Sequence, residues 1–367
     1  MDLLAVPAPD FEARRAAVAR HAELAVPVGG LGRLAELGVW LAAAQGTCPP
    51  RPPARPRVVL VAADHGVSAA GVSAHAAGTT ARLVDAVREA TAPVTVMAPV
   101  AGASVRVVDV GTEAGSGAAD AERHHVRAGS GRIDREDALT GAETDRAVEI
   151  GRGLADEEVD SGADLLVPAS LGVGATTAAA TLVAALTRTE PVAVIGRGSG
   201  IDDAGWMRKA AAVRDALRRA KPHSGDPLAL LRVAGGADLA VLTGFCAQAA
   251  IRRTPVLLDG LVVGAAALLA EKLAPGARDW WLVAQRSPEP AMDVVLARLD
   301  KEPVLDLGLR VDDGSGAMAA LPLLQMAARL LAETGTTTSA DSDGATDPAA
   351  DPADDPAGDD ADDAVRA

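Results

Sequence analysis

ASLGVGATTAAATLVAAL, residues 169–186, combines the end of an apolar strand, a Gly-x-Gly turn and the start of an alanine-rich helix. A strand that runs into a helix through a glycine turn is the repeating unit of a parallel α/β sheet. Such a turn presents free backbone N–H groups and the positive end of the helix dipole, and Thr176 and Thr177 can cap the helix or contact phosphate oxygens. Taken alone, a plain helix-capping turn is the simpler interpretation, because the stretch lacks the lysine of a Walker A loop.

The same alternation extends along the chain on both sides of this turn. Short β-branched runs are separated by stretches with helical spacing. The strands are near-continuous apolar runs, as expected when both faces of a sheet are covered. We therefore predict an α/β fold with a Rossmann-like, mostly parallel sheet and helices on both faces. The predicted strands are 57–63, 105–110, 164–168, 191–195, 255–258 and 281–284, and the predicted helices are 79–90, 143–158, 176–187, 203–220, 236–251 and 261–273.

Composition divides the 367 residues into three parts. Residues 1–56 form a helical segment that ends in the proline-rich connector CPPRPPARPR, residues 57–334 form the α/β domain, and residues 335–367 form an acidic tail predicted to be disordered. Ten Asp and one Arg give the tail a charge of −9 out of the total of −15, so the remainder is only mildly acidic at −6. A solubilising extension is the simpler interpretation of the tail, and a regulatory or partner-binding role is the alternative.

Charge, cysteines and hydropathy exclude several classes of protein. No basic cluster is long enough to follow a nucleic-acid backbone, so we expect no nucleic-acid partner. The apolar segment 257–270 is too short to span a bilayer, and the N-terminus lacks the pattern of a signal peptide. Cys48 and Cys246 have neither disulfide nor metal-binding spacing. We expect a cytoplasmic protein with reduced thiols, without a membrane partner and without a bound metal.

Polar and glycine-rich motifs follow the predicted strands at their carboxyl ends. In an open α/β sheet that edge is where ligands bind, because its loops converge on one crevice. The coincidence of six motifs on one edge is stronger than any one motif. The motifs are DHG (64–66), GTEAGSG (111–117), SLGVGATT (170–177), GRGSGIDD (196–203), DG (259–260) and QRSPEP (285–290).

Charged residues within these motifs allow two interpretations each. Arg197 and Lys209 lie near two turns that favour anions, and together they favour a phosphate site over plain loops. Asp64 and His65 form either an acid/base pair or a loop in which Asp64 bonds backbone amides and His65 is half-exposed. The pair 312–313 is either a helix N-cap or a catalytic carboxylate beside a phosphate-binding turn.

The motifs, in order, resemble those of the nicotinate-nucleotide–dimethylbenzimidazole phosphoribosyltransferases. The resemblance runs over about residues 25–333 and is carried by GLGRLAELGVWLA, VVLVAADHGVSAAGVSAH, LGVGATTAAA, GRGSGIDD, RVAGGADLAVLTG, TPVLLDGLVVGAAALLA and EPVLDLGLRVDDGSGAMAALPLLQMAARLL. It implies transfer of phosphoribose from nicotinate mononucleotide to a benzimidazole, with inversion at the ribose C1, giving α-ribazole 5′-phosphate and nicotinate in the assembly of the cobalamin lower ligand. It also implies a smaller helical domain from both chain ends, a homodimer and no cofactor.

The resemblance also carries site residues over by motif. Breaking the ribose C1–N bond builds positive charge on the sugar, so the site needs a phosphate anchor and a carboxylate that takes the proton of the attacking base. The implied general base is Asp313, with His75 as the other catalytic candidate. The implied phosphate and ribose ligands are Gly172, Gly174, Thr176, Gly196, Arg197, Gly198, Lys209, Gly314, Ser315 and Gly316, and the implied base-binding residues are Asp64, His65, Ser73, His75, Arg82, Ser170 and Leu171.

Several positions depart from the family pattern on the base-binding side. Asp313 and Ser170 stand where the family has glutamates, and Ala175 replaces an asparagine. His75 replaces an aromatic residue and Arg82 a glutamine. Two interpretations follow: an enzyme, with either the family's base or a different one, or a non-catalytic paralogue that binds a nucleotide or cobamide precursor and regulates an active enzyme. An unrelated dinucleotide enzyme is disfavoured, because no GxGxxG follows the first strand.

Overall fold

A six-stranded parallel sheet organises the chain, with the strand order β2-β1-β3-β4-β5-β6. The structure is a computed structural model that describes residues 4–113, 115 and 121–337. In this order β3 lies at the centre of the sheet, between β1 and β4. Loops from both halves of the sheet therefore meet at the carboxyl end of β3. The strands are β1 (Pro56–Ala63), β2 (Ser104–Gly111), β3 (Leu165–Leu171), β4 (Val256–Leu258), β5 (Trp281–Gln285) and β6 (Pro303–Leu305).

Helices cover both faces of this sheet, as the sequence predicts. Short 3₁₀ segments at Gly66–Ala70, Lys221–His223 and Ala277–Trp280 join some of the elements. The helices are α1 (Phe11–Glu23), α2 (Arg33–Gln45), α3 (Thr79–Arg88), α4 (Pro93–Ala101), α5 (Ala121–His124), α6 (Gly141–Asp160), α7 (Ala175–Thr187), α8 (Pro191–Val194), α9 (Asp203–Ala220), α10 (Pro227–Ala234), α11 (Ala237–Ile251), α12 (Gly260–Leu273), α13 (Pro290–Leu299) and α14 (Ser315–Glu333).

Alternate residues of β1 enter two different cores. Val59 and Val61 pack with α6, α7, α11 and α12, whereas Val58 and Leu60 pack with α2, α3, α4 and α14. All four side chains are fully buried. This is the period-2 alternation of a strand whose two faces are both covered, and it explains the unbroken apolar run in the sequence.

Glycines allow two of the helices to pack closely. At the crossing of α6 and α11, a β-carbon on Gly151 would overlap the carbonyl of Val241, and one on Gly244 would overlap the carbonyl of Val148. Only glycine permits backbones to approach this closely. The crossing holds α11, whose first turn lies behind the candidate site, firmly against α6.

The two chain ends pack together, as expected for a smaller helical unit built from both. α2 packs against α1 and α14, and Ala17, Leu24, Ala42 and Leu331 share one small core. Ala25 N donates to Gly335 O (2.8 Å), and Leu24 pairs with Thr336 in an antiparallel bridge. Gly335 and Thr336, at the start of the predicted tail, are thus paired with the N-terminal segment, and residues 338–367 of that tail lie outside the described part of the chain. The domain boundaries at 56 and 334 stay predictions.

Several elements differ from those that the sequence predicts. The predicted strand 191–195 is wrong: Pro191–Val194 forms a short helix, and β4 occupies the place beside β3. Pro191 favours this because its ring fixes φ near the helical value and removes a ladder donor. The edge strand β6 and the helices α4, α10 and α13 are not among the predicted elements. β6 has only three residues and begins with Pro303, and α4 contains Pro93 and Pro99, so both carry weak signals.

One helix in the described chain, α14, is long and apolar enough to cross a membrane by length and composition. Its residues are 56% buried over the most apolar window. It packs against α2, α4 and β5, and Leu321 and Leu324 are fully buried in the core with β1 and β3. These contacts are those of a core helix.

Candidate functional site

A cavity of about 110 Å³ opens at the carboxyl ends of the strands, where the sequence places its motifs. The loop after β1, the turn between β3 and α7, the turn before α9 and the segments that follow β5 and β6 line its walls. Three of the six motifs, SLGVGATT, GRGSGIDD and QRSPEP, contribute residues to this cavity; DHG and DG do not, and part of GTEAGSG lies outside the described residues. The sequence-predicted site residues that line this cavity are Ser73, His75, Ser170, Leu171, Gly172, Gly174, Thr176 and Gly198.

The turn at the start of α7 forms the floor of the cavity. Gly172 has no room for a side chain, because a β-carbon there would overlap Ala63 O, and Gly174 has a left-handed φ of 93°. Val173 N donates to Thr80 Oγ1 (3.1 Å), which fixes the turn from the other side. Within the described chain, the amides of Gly174 and Thr176 make no hydrogen bond. This helix N-terminus therefore presents free donors to a ligand in the cavity.

Lys209 supports this floor from below rather than lining it. Its side chain is fully buried, and Nζ donates to Thr176 Oγ1 (3.1 Å). Burial lowers the pKa of Lys209, and the charges of Glu289 and Asp312 act in the opposite direction. Gly198 lies directly above, since a β-carbon there would be 2.9 Å from Thr176 Oγ1 and 3.1 Å from Nζ. Lys209 thus supplies positive charge to the cavity through its field and through Thr176.

The neighbouring turn is held by a carboxylate that is not among the predicted site residues. Glu289 is 5% exposed, lines the cavity, and accepts a hydrogen bond from Gly198 N through Oε1 (2.8 Å). Gly196 does not line the cavity: its missing side chain leaves the space in which the Glu289 carboxylate lies. The motif QRSPEP contains Glu289, but a single glutamate in a loop gives no signal of burial.

The cation at the cavity is a different arginine from the predicted one. Arg197 donates to Ile201 O (2.9 Å) and to Asp203 (2.5 Å), and it does not line the cavity. The Arg197 guanidinium is thus bonded within its own loop, and its phosphate contact stays a prediction. Arg310 lines the cavity instead and makes no hydrogen bond or ion pair in the described chain. The only sequence signal for Arg310 is its position in LDLGLR.

The Gly314–Gly316 turn lies behind the cavity and is already satisfied by carboxylates. Asp313 is 2% exposed and accepts from Ser315 N (2.9 Å) and Val94 N (3.3 Å). Asp259 accepts from Gly316 N (2.8 Å) and Ala317 N (3.3 Å), and burial raises its pKa to about 6, with the charge of Asp313 adding to the effect. Protein carboxylates thus accept from the amides of Ser315 and Gly316, and the phosphate contacts of Gly314, Ser315 and Gly316 stay predictions.

Asp312, one residue before Asp313, lines the cavity. It adopts a left-handed φ of 57°, and Oδ1 lies over Gly260, 3.4 Å from Leu261 N at the start of α12. Burial, together with the negative charges of Asp259 and Glu289, raises the pKa of Asp312 to about 7 against the opposing effect of backbone donors. Asp313 itself does not line the cavity and has the contacts of a helix cap.

A buried acid/base cluster lies behind the cavity floor. His65 Nε2 is 3.1 Å from Asp238 Oδ2 and both side chains are fully buried; Ser170 Oγ donates a long hydrogen bond to the same oxygen (3.4 Å). Burial opposes protonation of His65, but the charge and hydrogen bond of Asp238 and the charge of Asp64 together raise its pKa. His65 is thus not half-exposed, and its partner is Asp238 rather than the adjacent Asp64.

Three predicted site residues remain: Asp64, Arg82 and His75. Asp64 has the loop role, accepting from Thr80 Oγ1 and Glu113 N (3.0 Å) and not lining the cavity. Arg82 donates to Thr79 Oγ1 (2.9 Å) and does not line the cavity, whereas its neighbour Leu83 does. His75 is exposed at the cavity wall.

In the part of the chain that the structure describes, no group of three or more His, Cys, Asp or Glu residues is placed to hold a metal ion. A parallel α/β sheet whose carboxyl-terminal loops close around a helix N-terminus, glycine turns and a free arginine is the architecture of nucleotide- and phosphate-binding enzymes. The site contains no glycine-rich fingerprint for a dinucleotide. Fold and site thus have the features of α/β enzymes that bind small phosphorylated ligands.

Comparison with known proteins identifies the family to which the chain belongs. The family model described as phosphoribosyltransferase matches residues 6–341, and the chain belongs to this family. A relative in Mycolicibacterium paratuberculosis is 54% identical over 340 residues, covering 93% of this chain and 97% of the relative, and one in Mycobacterium tuberculosis is 53% identical over 335 residues, covering 91% and 93%. Both are named nicotinate-nucleotide–dimethylbenzimidazole phosphoribosyltransferase.

A solved structure shares the fold over nearly its whole length. The crystal structure of the phosphoribosyltransferase of the same name from Thermus thermophilus has a TM-score of 0.83 and 38% sequence identity, covering 90% of this chain and 98% of that chain. The family resemblance and the α/β fold expected from the sequence are confirmed.

Proposed function

We propose that this phosphoribosyltransferase moves the phosphoribosyl group of nicotinate mononucleotide to a benzimidazole-type base. The products are α-ribazole 5′-phosphate and nicotinate, and the reaction belongs to the assembly of the cobalamin lower ligand. The observation that carries the proposal is the cavity over the N-terminus of α7, with its two free amides, in a chain 54% identical to a relative named for this reaction.

Phosphate binds at the cationic side of the cavity. The amides of Gly174 and Thr176 and the guanidinium of Arg310 supply unpaired donors, and Lys209 adds positive charge beneath Thr176. A dianion gains from each of these groups, and hydrogen bonds to charged groups contribute about 1.5–3 kcal/mol each. This anchor fixes the nucleotide so that its C1 faces the incoming base.

The cavity also carries negative charge. Glu289 and Asp312 line it and oppose the approach of phosphate. When the C1–N bond to nicotinate weakens, positive charge develops on the ribose, and carboxylates nearby stabilise that charge. The cavity thus combines donors for the phosphate with carboxylates for the reacting sugar, and its exposed wall at His75 admits the base.

Two further statements belong to the proposal. The protein acts as a homodimer in the cytoplasm, and it needs no organic cofactor for the transfer, because nicotinate is displaced directly by the base. A small-molecule substrate pair follows from membership of the phosphoribosyltransferase family.

The test is release of nicotinate. The full chain is incubated with nicotinate mononucleotide and, separately, 5,6-dimethylbenzimidazole, benzimidazole, adenine and p-cresol, and nicotinate and the riboside phosphate are quantified by chromatography. Stoichiometric nicotinate and α-ribazole 5′-phosphate with a benzimidazole support the proposal. Release with only a purine or a phenol shows a switched base, and binding of the mononucleotide without release across the panel supports the non-catalytic alternative.

A further inference from the structure

We propose that Ser199 is a positioning residue that couples the binding of the two substrates. Its hydroxyl joins the turn beside the phosphate-binding amides to the exposed wall of the cavity that admits the base. The proposal rests on the proposed function, because it requires a phosphorylated sugar and a heterocyclic base in the same cavity. It adds a physical link between the two ligands.

One exposed segment forms the wall of the cavity at His75. We call this segment, residues 71–78, the strap. It begins at Gly71 and ends at Gly78, which have left-handed φ values of 70° and 76°. Ser73 and His75 of the strap line the cavity, and residues 74–78 are all exposed. Glycine adopts such φ values without steric cost, so the chain can turn sharply at both ends of the strap.

Both ends of the strap are anchored to the body of the protein. At the first end, Arg208 of α9 donates from Nε to Gly71 O (3.0 Å), and the Val72 side chain is buried in the core. Just beyond the second end, Thr80 of α3 is fully buried, and its hydroxyl accepts from Val173 N (3.1 Å) in the cavity floor. The position of the exposed middle therefore depends on the contacts that the middle itself makes.

Ser199 supplies those contacts. Ser199 Oγ accepts from Ala74 N (2.9 Å) and lies 3.1 Å from Ser73 Oγ, so that one hydroxyl donates to the other. Ser73 Oγ also accepts from His75 N (3.1 Å) and thus orders the residue next along the wall. Among the described residues, 73–77 make no other hydrogen bond to the rest of the chain apart from one between Ala76 O and the first residue of α3. A segment with so few contacts is ordered only weakly.

The turn that carries Ser199 lies against the phosphate-binding amides. Gly198 and Ser199 both line the cavity. A β-carbon on Gly198 would be 2.9 Å from Thr176 Oγ1, at the start of α7. Glu289 fixes the same turn by accepting from Gly198 N (2.8 Å). A phosphate held by the α7 amides therefore borders this turn, and its binding favours the position in which Ser199 holds the strap.

This connection makes the binding of each ligand dependent on the other. When the phosphorylated sugar is bound, the turn and the strap are already ordered, and the base does not have to order them. The coupling is reciprocal, so the base must tighten binding of the sugar phosphate by the same factor. Two neutral hydrogen bonds to Ser199 contribute about 2–10-fold each, which predicts a coupling of about 5–100-fold.

Calorimetry measures this coupling with two ligands that cannot react with each other. Ribose 5-phosphate has the phosphate and the sugar but no nicotinate to lose, and 5,6-dimethylbenzimidazole is the base. In wild type we expect each ligand to tighten binding of the other by one common factor of about 5–100. Ser199→Ala should bring this factor close to 1, and Ser199→Thr, which keeps the hydroxyl, should restore it.

Ser161→Ala is the matched control. Ser161 Oγ donates to Glu158 O (2.8 Å) after the last residue of α6, before β3 begins and therefore at the opposite edge of the sheet. Its loss removes a serine hydroxyl that makes a hydrogen bond but does not line the cavity. We expect the wild-type coupling factor in this variant.

Steady-state kinetics give a readout that a purely structural defect would not move. Ser199→Ala should raise the KM for 5,6-dimethylbenzimidazole about 5–100-fold in the nicotinate-release assay and leave kcat close to that of wild type, because a saturating base orders the strap by itself. A lower kcat at unchanged KM would overturn the proposal, and so would a coupling factor in Ser199→Ala equal to that of wild type.

Failure of the proposed function has a different signature. Wild type that releases no nicotinate with any base of the panel contradicts the proposed reaction, and the coupling proposal falls with it. Wild type that releases nicotinate with 5,6-dimethylbenzimidazole, but binds this base equally well with and without ribose 5-phosphate, overturns the coupling alone.

Discussion

Replacing Gly260 by alanine tests whether the position of Asp312 matters. Gly260 has φ = 84°, and a β-carbon on it would lie 2.5 Å from Asp312 Cγ and 2.9 Å from Asp312 Cβ. Ordinary contacts of a β-carbon begin at 3.4 Å, so the Asp312 side chain must move by about 1 Å. A displacement of about 1 Å in a group at the reacting centre costs on the order of 10²-fold in rate.

A second glycine separates this displacement from backbone strain. Gly276 has a similar φ of 91°, but nothing lies within 4 Å of its missing β-carbon. Alanine at a left-handed position costs about 1–2 kcal/mol at either site. We expect Gly276→Ala to lose only this free energy of unfolding, and Gly260→Ala to lose at least as much and, in addition, about 10²-fold in nicotinate release.

Two assays separate stability from activity. Urea denaturation followed by circular dichroism measures the free energy of unfolding, and nicotinate release is measured without urea at a pH of about 8, above the pKa of Asp312. Both variants must be folded at the assay temperature. If Gly260→Ala releases nicotinate as fast as Gly276→Ala, the precise placement of Asp312 is irrelevant and the reasoning is refuted.

Three further outcomes follow from the described contacts. Asp238→Asn removes one partner of a buried ion pair and should lower the free energy of unfolding by about 3–5 kcal/mol. Burial lowers the pKa of His65, but Asp238 raises it by more, so the folded value lies above the ordinary value of 6.5. The stability that the pair contributes in wild type is therefore full below pH 6.5 and is lost as the pH rises through the folded pKa. Urea denaturation at several pH values should show this fall in wild type and not in the variant. Arg310→Ala should weaken binding of nicotinate mononucleotide about 10–100-fold by calorimetry, from the loss of a charged hydrogen bond, and leave binding of the phosphate-free riboside unchanged; equal losses for both ligands would place the phosphate elsewhere. Thr140→Ala breaks the capping box that Thr140 forms with Glu143 at the start of α6 and should cost about 1 kcal/mol without altering nicotinate release, so an altered rate would show an unrecognised link between α6 and the site.

The sequence predicts those parts of the fold that depend on local pattern. The strand, turn and helix at 169–186 are confirmed, because buried strands and alanine-rich helices have strong periodic signals. The helix α4 escapes prediction because its amide donors are capped from far along the chain: Asp313 accepts from Val94 N, 219 residues away. The wrong strand at 191–195 shows the same limit, since β propensity cannot reveal that β4 already pairs with β3.

Within the site, glycine motifs are easier to predict than charged partners. Gly172, Gly174 and Gly198 lie together at the cavity because turn geometry is encoded locally. The sequence could not predict that Arg310 rather than Arg197 lines the cavity, because this depends on which guanidinium is already hydrogen-bonded within the protein. The pairing of His65 with Asp238 likewise joins residues 173 positions apart.

The most direct test of the central claim is a crystal structure of the full chain with nicotinate mononucleotide bound. We expect the phosphate within hydrogen-bond distance of the amides of Gly174 and Thr176 and of the Arg310 guanidinium, with the ribose C1 turned toward Asp312. A nucleotide bound instead in the larger groove of about 1000 Å³ between α1, α2 and the 300–302 segment would contradict this arrangement.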